Sequence, residues 1–261
     1  MKEIIDFYGK YNEEKRLLNP YGQVEFRTTM HYIEKYIAGR KNCSILEVGA
    51  ATGRYSLALA EMGHTVTAVD LVPYNIGILR QKAERKGITN CVSMVGDALN
   101  LKKIPSDSQD IVLLLGPLYH LFSEEDKLKA LMEGKRVLKP GGILMAGYIM
   151  NEFAVITFGF KEKNALYSQS TAKLDENFHV RNTVEDLFSY ERLEDIDLYR
   201  DKAGLKRLEI ISQDGAANYM RKELNEMSGE MLELFIKYHI SVSARPELLG
   251  AGCHTLDVLT K

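Results

Sequence analysis

From Ser44 to about Met150 the chain alternates short β-rich runs with amphipathic stretches, and few folds accept such an alternation. The candidate strands are SILEV (44–48), HTVTAV (64–69), CVSMV (91–95), DIVLLL (110–115) and GILMAGYI (142–149). Between them run the helical patterns Tyr55–Met62, Tyr74–Lys86 and Glu124–Leu138. An unbroken apolar run such as IVLLL suits a strand buried on both faces, and the intervening helices supply the crossovers that parallel strands need. The expectation is an α/β fold with a Rossmann-like, doubly wound, mostly parallel sheet. Helix punctuation agrees: Ser123 before Glu124, Glu125 and Asp126 provides an N-cap and an acidic first turn. Lys135, Arg136 and Lys139 gather at the other end, before Pro140-Gly141-Gly142.

The flanks divide the rest of the chain. Residues 1–43 read as a helical cap leading into the core at 44–150, with TTMHYIEKYIAG running toward the first strand. Residues 151–190 are polar and aromatic and too long for a plain connection, which suits a lid inserted over a ligand site. Residues 191–261 return to the core pattern. Glu191–Ala203 reads as a helix stopped by Gly204, LKRLEIIS (205–212) as a strand, and 216–243 as a second helical excursion. HTLDVLT (254–260) then closes the chain as an antiparallel last strand.

In open α/β sheets ligands bind at the carboxyl ends of the strands, and the informative residues fall there. The first strand ends in Glu47 and a turn of small residues, Gly49-Ala50-Ala51-Thr52-Gly53. By itself such a turn could merely let a helix pack closely on a strand. Asp70, however, ends the second strand about 20 residues further on, where an acid can accept both hydroxyl protons of a ribose. The pair points to an adenosine-containing ligand. A dinucleotide site wants G-x-G-x-x-G, which is absent, and an ionised Glu47 would repel pyrophosphate while favouring a ligand that carries an ammonium group. A cationic aminoacyl nucleoside therefore fits better than NAD.

LEVGAATGRYS, Asp70, GDAL (96–99), DIVLLLGPLYHL (110–121) and RVLKPGGILMAGYI (136–149) resemble, in order and spacing, the motifs of the class I S-adenosylmethionine-dependent methyltransferases. GPLYHL is similar to a segment of bacterial small-molecule members that carry an N-terminal helical cap. One departure is Ala51, where the family's G-x-G-x-G loop has its middle glycine. The resemblance implies S-adenosyl-L-methionine as cofactor and S-adenosyl-L-homocysteine as product. It implies that Gly49, Ala51 and Gly53 line the methionyl chain with Glu47 nearby. Asp70 would hold the ribose and Leu71 would lie beside the adenine. Asp97 and Ala98 would bind the adenine edge, and the Leu115 carbonyl would face the cofactor amino group. Asp97 alternatively caps a helix starting at Ala98.

Methyl transfer from a sulfonium mainly demands alignment and exclusion of water, and a base is required only where the acceptor loses a proton. His120 and Tyr119 follow the fourth strand at its carboxyl end, with His120 a candidate base or acceptor contact; the same pair could instead orient the loop. The N-terminal segment interleaves Tyr8, Tyr11 and Tyr21 with Arg16, Glu25 and Arg27. Tyr8 and Arg16 are candidate substrate contacts, and Arg27 is a candidate partner of the cofactor carboxylate. His179, Arg181 and Arg245 are further lid candidates.

Composition narrows the acceptor. A formal net charge of −2 on 261 residues carries no bulk electrostatic signal for nucleic acid or an anionic membrane. A small-molecule acceptor is therefore expected ahead of tRNA or a protein side chain. The three cysteines, Cys43, Cys91 and Cys253, have neither metal nor iron–sulfur spacing and suit a reducing compartment. No apolar run approaches the ~20 residues of a membrane span, and the mixed-charge N-terminus is unlike a secretory signal, so a cytoplasmic protein is expected. A nicotinamide oxidoreductase and a non-catalytic nucleoside-binding protein are the rival readings. The identity of the acceptor and the oligomeric state stay open.

Overall fold

The computed structural model describes residues 5, 7, 8, 16–183 and 186–261. Tyr11 and much of the segment before Arg16 lie outside the described residues. The core is a seven-stranded sheet built from β1 (Ser44–Val48), β2 (Thr65–Asp70), β3 (Cys91–Val95), β4 (Gln109–Leu114), β5 (Leu138–Ile149), β6 (Lys206–Ser212) and β7 (His254–Thr260). Its order is β3-β2-β1-β4-β5-β7-β6, with β7 antiparallel to both neighbours and the β1–β5 pairs parallel. The strand order reverses between β1 and β4, and that switch point is where sheets of this kind bind ligands.

Both faces of the central strands are buried, which explains their continuous apolar sequence. Ile111 and Leu113 of β4 pack on one face with Ile45, Met145 and Val258. Tyr32, Ile33 and Ile37 of α1 (Pro20–Ile37) and Leu59 of α2 (Arg54–Glu61) cover that face. Val112 and Leu114 point the other way, into a cluster with Leu46, Val48 and Leu144. After α3 (Pro73–Arg85), that second cluster is covered by Leu131 of α4 (Glu124–Val137) and, further on, by Ile196 and Tyr199. Each fully buried aliphatic side chain contributes about 1.5–3 kcal/mol. Ser123 caps α4 as its position suggests, accepting from the Asp126 backbone N–H at 3.1 Å.

The covering segments depart further from regular structure. After β5 the chain forms α5 (Asn151–Ala154), a wide π-type turn (Val155–Lys161) and α6 (Ala165–Ser170), then runs irregularly to α7 (Leu193–Ala203). The 216–243 excursion is two helices, α8 (Arg221–Glu226) and α9 (Gly229–Val242), because Ser228 interrupts the first and caps the second through the Met231 N–H. β5 starts at Leu138, earlier than its apolar run, and carries Pro140-Gly141-Gly142 within it.

Candidate active site

A cavity of about 360 Å³ opens at the carboxyl ends of β1–β4, and a smaller one of about 60 Å³ adjoins it. Gly49, Ala51 and Tyr119 line both, so the turn after β1 and the loop after β4 form the partition. The larger cavity gathers Asp70, Leu71, Asp97, Ala98, His120 and Tyr8; the smaller gathers Glu47, Leu115, Arg16, Glu25, Gln213 and His254. Gly53 stands behind this turn as the residue that starts α2.

The turn has the shape its small residues suggest. Gly49 and Gly53 hold φ of 82° and 85°, and a Cβ on Gly49 would come 2.7 Å from Pro117 Cδ. Ala51 also takes a left-handed conformation, at φ 45°. That conformation costs an L-residue roughly 1–2 kcal/mol, and the Ala51 N–H offsets part of it by donating to Asp70 Oδ2 at 2.7 Å. Asp70 Oδ1 accepts from the Val72 N–H at 2.8 Å and from Asn75 at 3.2 Å. Burial pushes the Asp70 carboxyl above its ordinary value against these donors.

Glu47 is 2% exposed and accepts from the Ser56 hydroxyl. Burial pushes it up to about 8, with the neighbouring Asp70 adding to the rise. At neutral pH it is therefore mostly protonated, and the repulsion of pyrophosphate inferred for an ionised Glu47 is much weakened. The case against a dinucleotide rests instead on the glycine spacing. Asp97 does not cap a helix: Ala98 and Leu99 form a turn in which Asp97 Oδ1 accepts from the Leu99 N–H at 2.9 Å.

The loop after β4 is fastened by residues distant in sequence. His120 Nδ1 lies 2.8 Å from the Leu187 carbonyl, and Nε2 lies 3.0 Å from the Tyr8 hydroxyl. A carbonyl only accepts, so the proton is assigned to Nδ1, and Tyr8 donates to the Nε2 lone pair. Burial lowers the His120 pKa to about 4, which keeps the ring neutral. Tyr119 donates to the Leu115 carbonyl at 3.0 Å. The Tyr119 carbonyl accepts from the Ser189 N–H at 2.8 Å, and the Ser189 hydroxyl donates to the Leu121 carbonyl at 3.1 Å. Beneath this loop Lys127, 1% exposed, donates to the Leu121 carbonyl and lies 3.0 Å from Glu191.

The smaller cavity is lined by charge. Arg16 makes two bonds to Glu25, at 2.6 and 3.1 Å, and Glu25 lies 3.6 Å from His254 Nδ1. That nitrogen is also 2.7 Å from Asp214. Burial alone would raise Glu25, but the charges of Arg16 and His254 hold its pKa below the ordinary value. Burial would lower His254, yet its neighbours Cys253, Glu25 and Asp214 hold it well above the ordinary histidine value. Asp214 Oδ1 accepts the Cys253 and His254 N–H groups, and Oδ2 accepts from Asn218.

Glu25, Gln213, Asp214 and His254 are absent from the sequence reading of the site. Strand direction was the available signal: because β7 is antiparallel, its first residue rather than its last stands at the carboxyl edge of the other strands. Arg27 is not in either cavity wall; it pairs with Glu233 of α9, with one contact at 2.8 Å. His179 lies 3.4 Å from Asp195, and Arg245 pairs with Glu247.

A family model described as "Methyltransferase domain" matches residues 45–142, the segment that carries the glycine turn, Asp70, Asp97 and the loop after β4. Residues 45–142 of the chain therefore form a methyltransferase domain. The cofactor of that family is S-adenosyl-L-methionine. The chain is 31% identical over 153 residues to an S-adenosyl-L-methionine-dependent Diels-Alderase of Talaromyces variabilis, covering 58% of this chain and 48% of that protein. It is 32% identical over 125 residues to a glycine/sarcosine N-methyltransferase of Aphanothece halophytica, covering 47% and 46%. The match thus spans about half the length of these relatives. The fold of the whole chain is similar to that of a methyltransferase from Thermotoga maritima, with a TM-score of 0.58 at 18% identity over 99% of both chains. A methyltransferase from Methanosarcina mazei gives 0.59 at 16% identity, over 88% of this chain and 96% of that one.

The residues fit the cofactor of this methyltransferase family. Asp70 offers a buried carboxylate at the rim of the larger cavity, with Oδ2 receiving one of the donors a carboxylate oxygen accepts. The turn at Gly49, which lines both cavities, has no room for a side chain because Pro117 of the loop after β4 packs against it. No helix among the described residues is long and apolar enough to cross a membrane.

Proposed function

We propose that this chain transfers a methyl group from S-adenosyl-L-methionine to a small-molecule acceptor by in-line displacement. One observation carries the reading: the glycine turn and Asp70 share a cavity with the neutral His120, so a nucleoside site and a proton acceptor face the same space. When bound, the cofactor supplies an electrophilic methyl group on a sulfonium. Asp70 holds the ribose, Leu71 flanks the adenine, and Asp97 with Ala98 meets the adenine edge. Gly49, Ala51 and Gly53 shape the methionyl channel, while Glu47 and the Leu115 carbonyl face the amino group. Arg16, at the wall of the smaller cavity, takes the carboxylate role in place of Arg27, which lines neither cavity and pairs with Glu233. Tyr8, Tyr119 and His120 form the acceptor side, and His120 Nε2 can receive a proton there.

The near-neutral charge and the aromatic lining of the acceptor side support a small molecule over tRNA or a protein side chain. The three free cysteines support a cytoplasmic setting. The Diels-Alderase relative favours a second reading, in which the cofactor serves a cyclisation instead. Measuring S-adenosyl-L-homocysteine release against a panel of small acceptors decides between them. Release that depends on acceptor supports methyl transfer. Tight cofactor binding with no release across phenols, amines and thiols contradicts it and leaves the binding or cyclising readings.

A further inference from the structure

The Tyr8 side chain occupies a particular position. Its hydroxyl donates to His120 Nε2, its ring stands edge-on to the imidazole with centroids 5.4 Å apart at 86°, and both residues line the larger cavity. Tyr119 and Phe188 complete the surround, 4.9 and 5.2 Å from the imidazole. Tyr8 comes from the N-terminal segment and belongs to none of the sheet's hydrophobic clusters. The phenol of this chain therefore rests where a hydroxyl would have to sit to lose its proton to His120.

We propose that Tyr8 fills the acceptor seat with its own phenol, and that the acceptor of this enzyme is itself a phenol that displaces it. The inference rests on the methyltransferase reading above and names its substrate class. Two features of the seat select for an aromatic hydroxyl. The imidazole offers a single lone pair, matched by one O–H donor, whereas an ammonium brings three donors and a charge. The surrounding rings of Tyr119 and Phe188 suit an aromatic body in edge-on or tilted contact.

The chemistry balances without a further reactant. The phenol oxygen forms a bond to the methyl carbon as the carbon–sulfur bond breaks and its electron pair returns to sulfur, leaving a neutral thioether. The hydroxyl proton passes to Nε2, giving an imidazolium that releases it to water. A base with a low pKa is sufficient, because the oxygen becomes strongly acidic as it is alkylated. The Leu187 carbonyl keeps Nδ1 protonated, so Nε2 remains the accepting atom throughout.

The test begins with binding in the absence of cofactor. 4-Methylphenol, the tyrosine side chain as a free molecule, is titrated into the wild-type chain, Tyr8→Ala and Tyr8→Phe, with the ¹⁵N resonances of the His120 ring as readout. Tyr8→Ala should bind it roughly tenfold more tightly than wild type and restore the wild-type Nε2 resonance. Tyr8→Phe, which keeps the ring in place, should show the Nε2 hydrogen bond lost and no gain in affinity. Equal affinity in Tyr8→Ala and wild type, with Tyr8→Ala melting as wild type does, overturns the proposal. In a second arm, 4-methylphenol and catechol are compared with glycine and histamine by S-adenosyl-L-homocysteine release. Faster release with the phenols supports the assignment, and faster release with an amine overturns it. Calorimetry with S-adenosyl-L-methionine runs alongside: absence of cofactor binding contradicts the methyltransferase reading itself, and the titration still decides whether Tyr8 occupies a phenol seat.

Discussion

The β1–β3 side of the carboxyl edge and the β4–β7 side build their parts of the site in different ways. On the first side the polar groups are sequence neighbours: Ala51 donates to Asp70 across 19 residues, and Ser56 to Glu47 across 9. On the second, His120 is held by Leu187, 67 residues away, and by Tyr8, 112 residues away, while His254 meets Asp214 across 40. A short motif can specify the first arrangement, because a strand, a turn and the next strand end bring its members together. Only the complete topology assembles the second. On the proposed reading, recognition of the nucleoside is local, and the acceptor side depends on the covers.

The largest effect that could break this contrast is expected beneath the loop after β4. Lys127→Met removes one partner of a buried ion pair and should lower stability by about 3–5 kcal/mol, read by chemical denaturation. A loss near zero would mean that the long-range fastening of the loop is dispensable. Asp70→Asn should weaken S-adenosyl-L-methionine about 10- to 100-fold by calorimetry while leaving the melting temperature much closer to wild type, since the loss is of hydrogen bonds to a charged acceptor.

The two sides should also respond to pH in opposite directions. The Glu47 pKa is raised from 4.5 to about 8, so its contribution to stability is complete below 4.5 and is lost as pH rises through 8. The His120 pKa is lowered from 6.5 to about 4, so its contribution is present above 6.5 and is lost as pH falls through 4. Denaturation across this range should show Glu47→Gln flattening the alkaline limb and His120→Asn flattening the acid limb. An unchanged limb in either variant contradicts the burial assigned to that group.

The smallest effect separates two arginines. Arg16→Ala should weaken the cofactor about tenfold, whereas Arg27→Ala, whose partner is an exposed Glu233, should leave cofactor affinity unchanged. The reverse result would return the carboxylate contact to Arg27.

The same contrast explains what could be read in the sequence. The β-rich runs of 44–48, 91–95 and 254–260 coincide with β1, β3 and β7: β1 and β7 are buried along most of their length, and the half-exposed edge strand β3 still keeps a β-rich composition. Gly49 and Asp70 were legible for a similar reason, with motif and strand end adjacent. Arg16, Glu25 and His254 were not legible together as one charged wall, since three segments of ordinary composition supply it. Glu47 is legible as a position, whereas its raised pKa follows from burial that no spacing reveals. Residues 151–190 read as an insertion too long for a plain connection, and the structure gives that stretch α5, a π-type turn, α6 and irregular chain. Leu187 fastens the loop after β4 through its backbone carbonyl, which leaves no side-chain signature, and Ser189 does so through its N–H as well as its hydroxyl.

A structure of the chain with S-adenosyl-L-homocysteine tests the central claim most directly. The account predicts both ribose hydroxyls on Asp70, the adenine against Leu71, Asp97 and Ala98, and the amino-acid tail crossing the Gly49 turn toward Leu115 and Arg16. A nucleoside bound away from Asp70, or a tail directed from the turn toward His120, would contradict it.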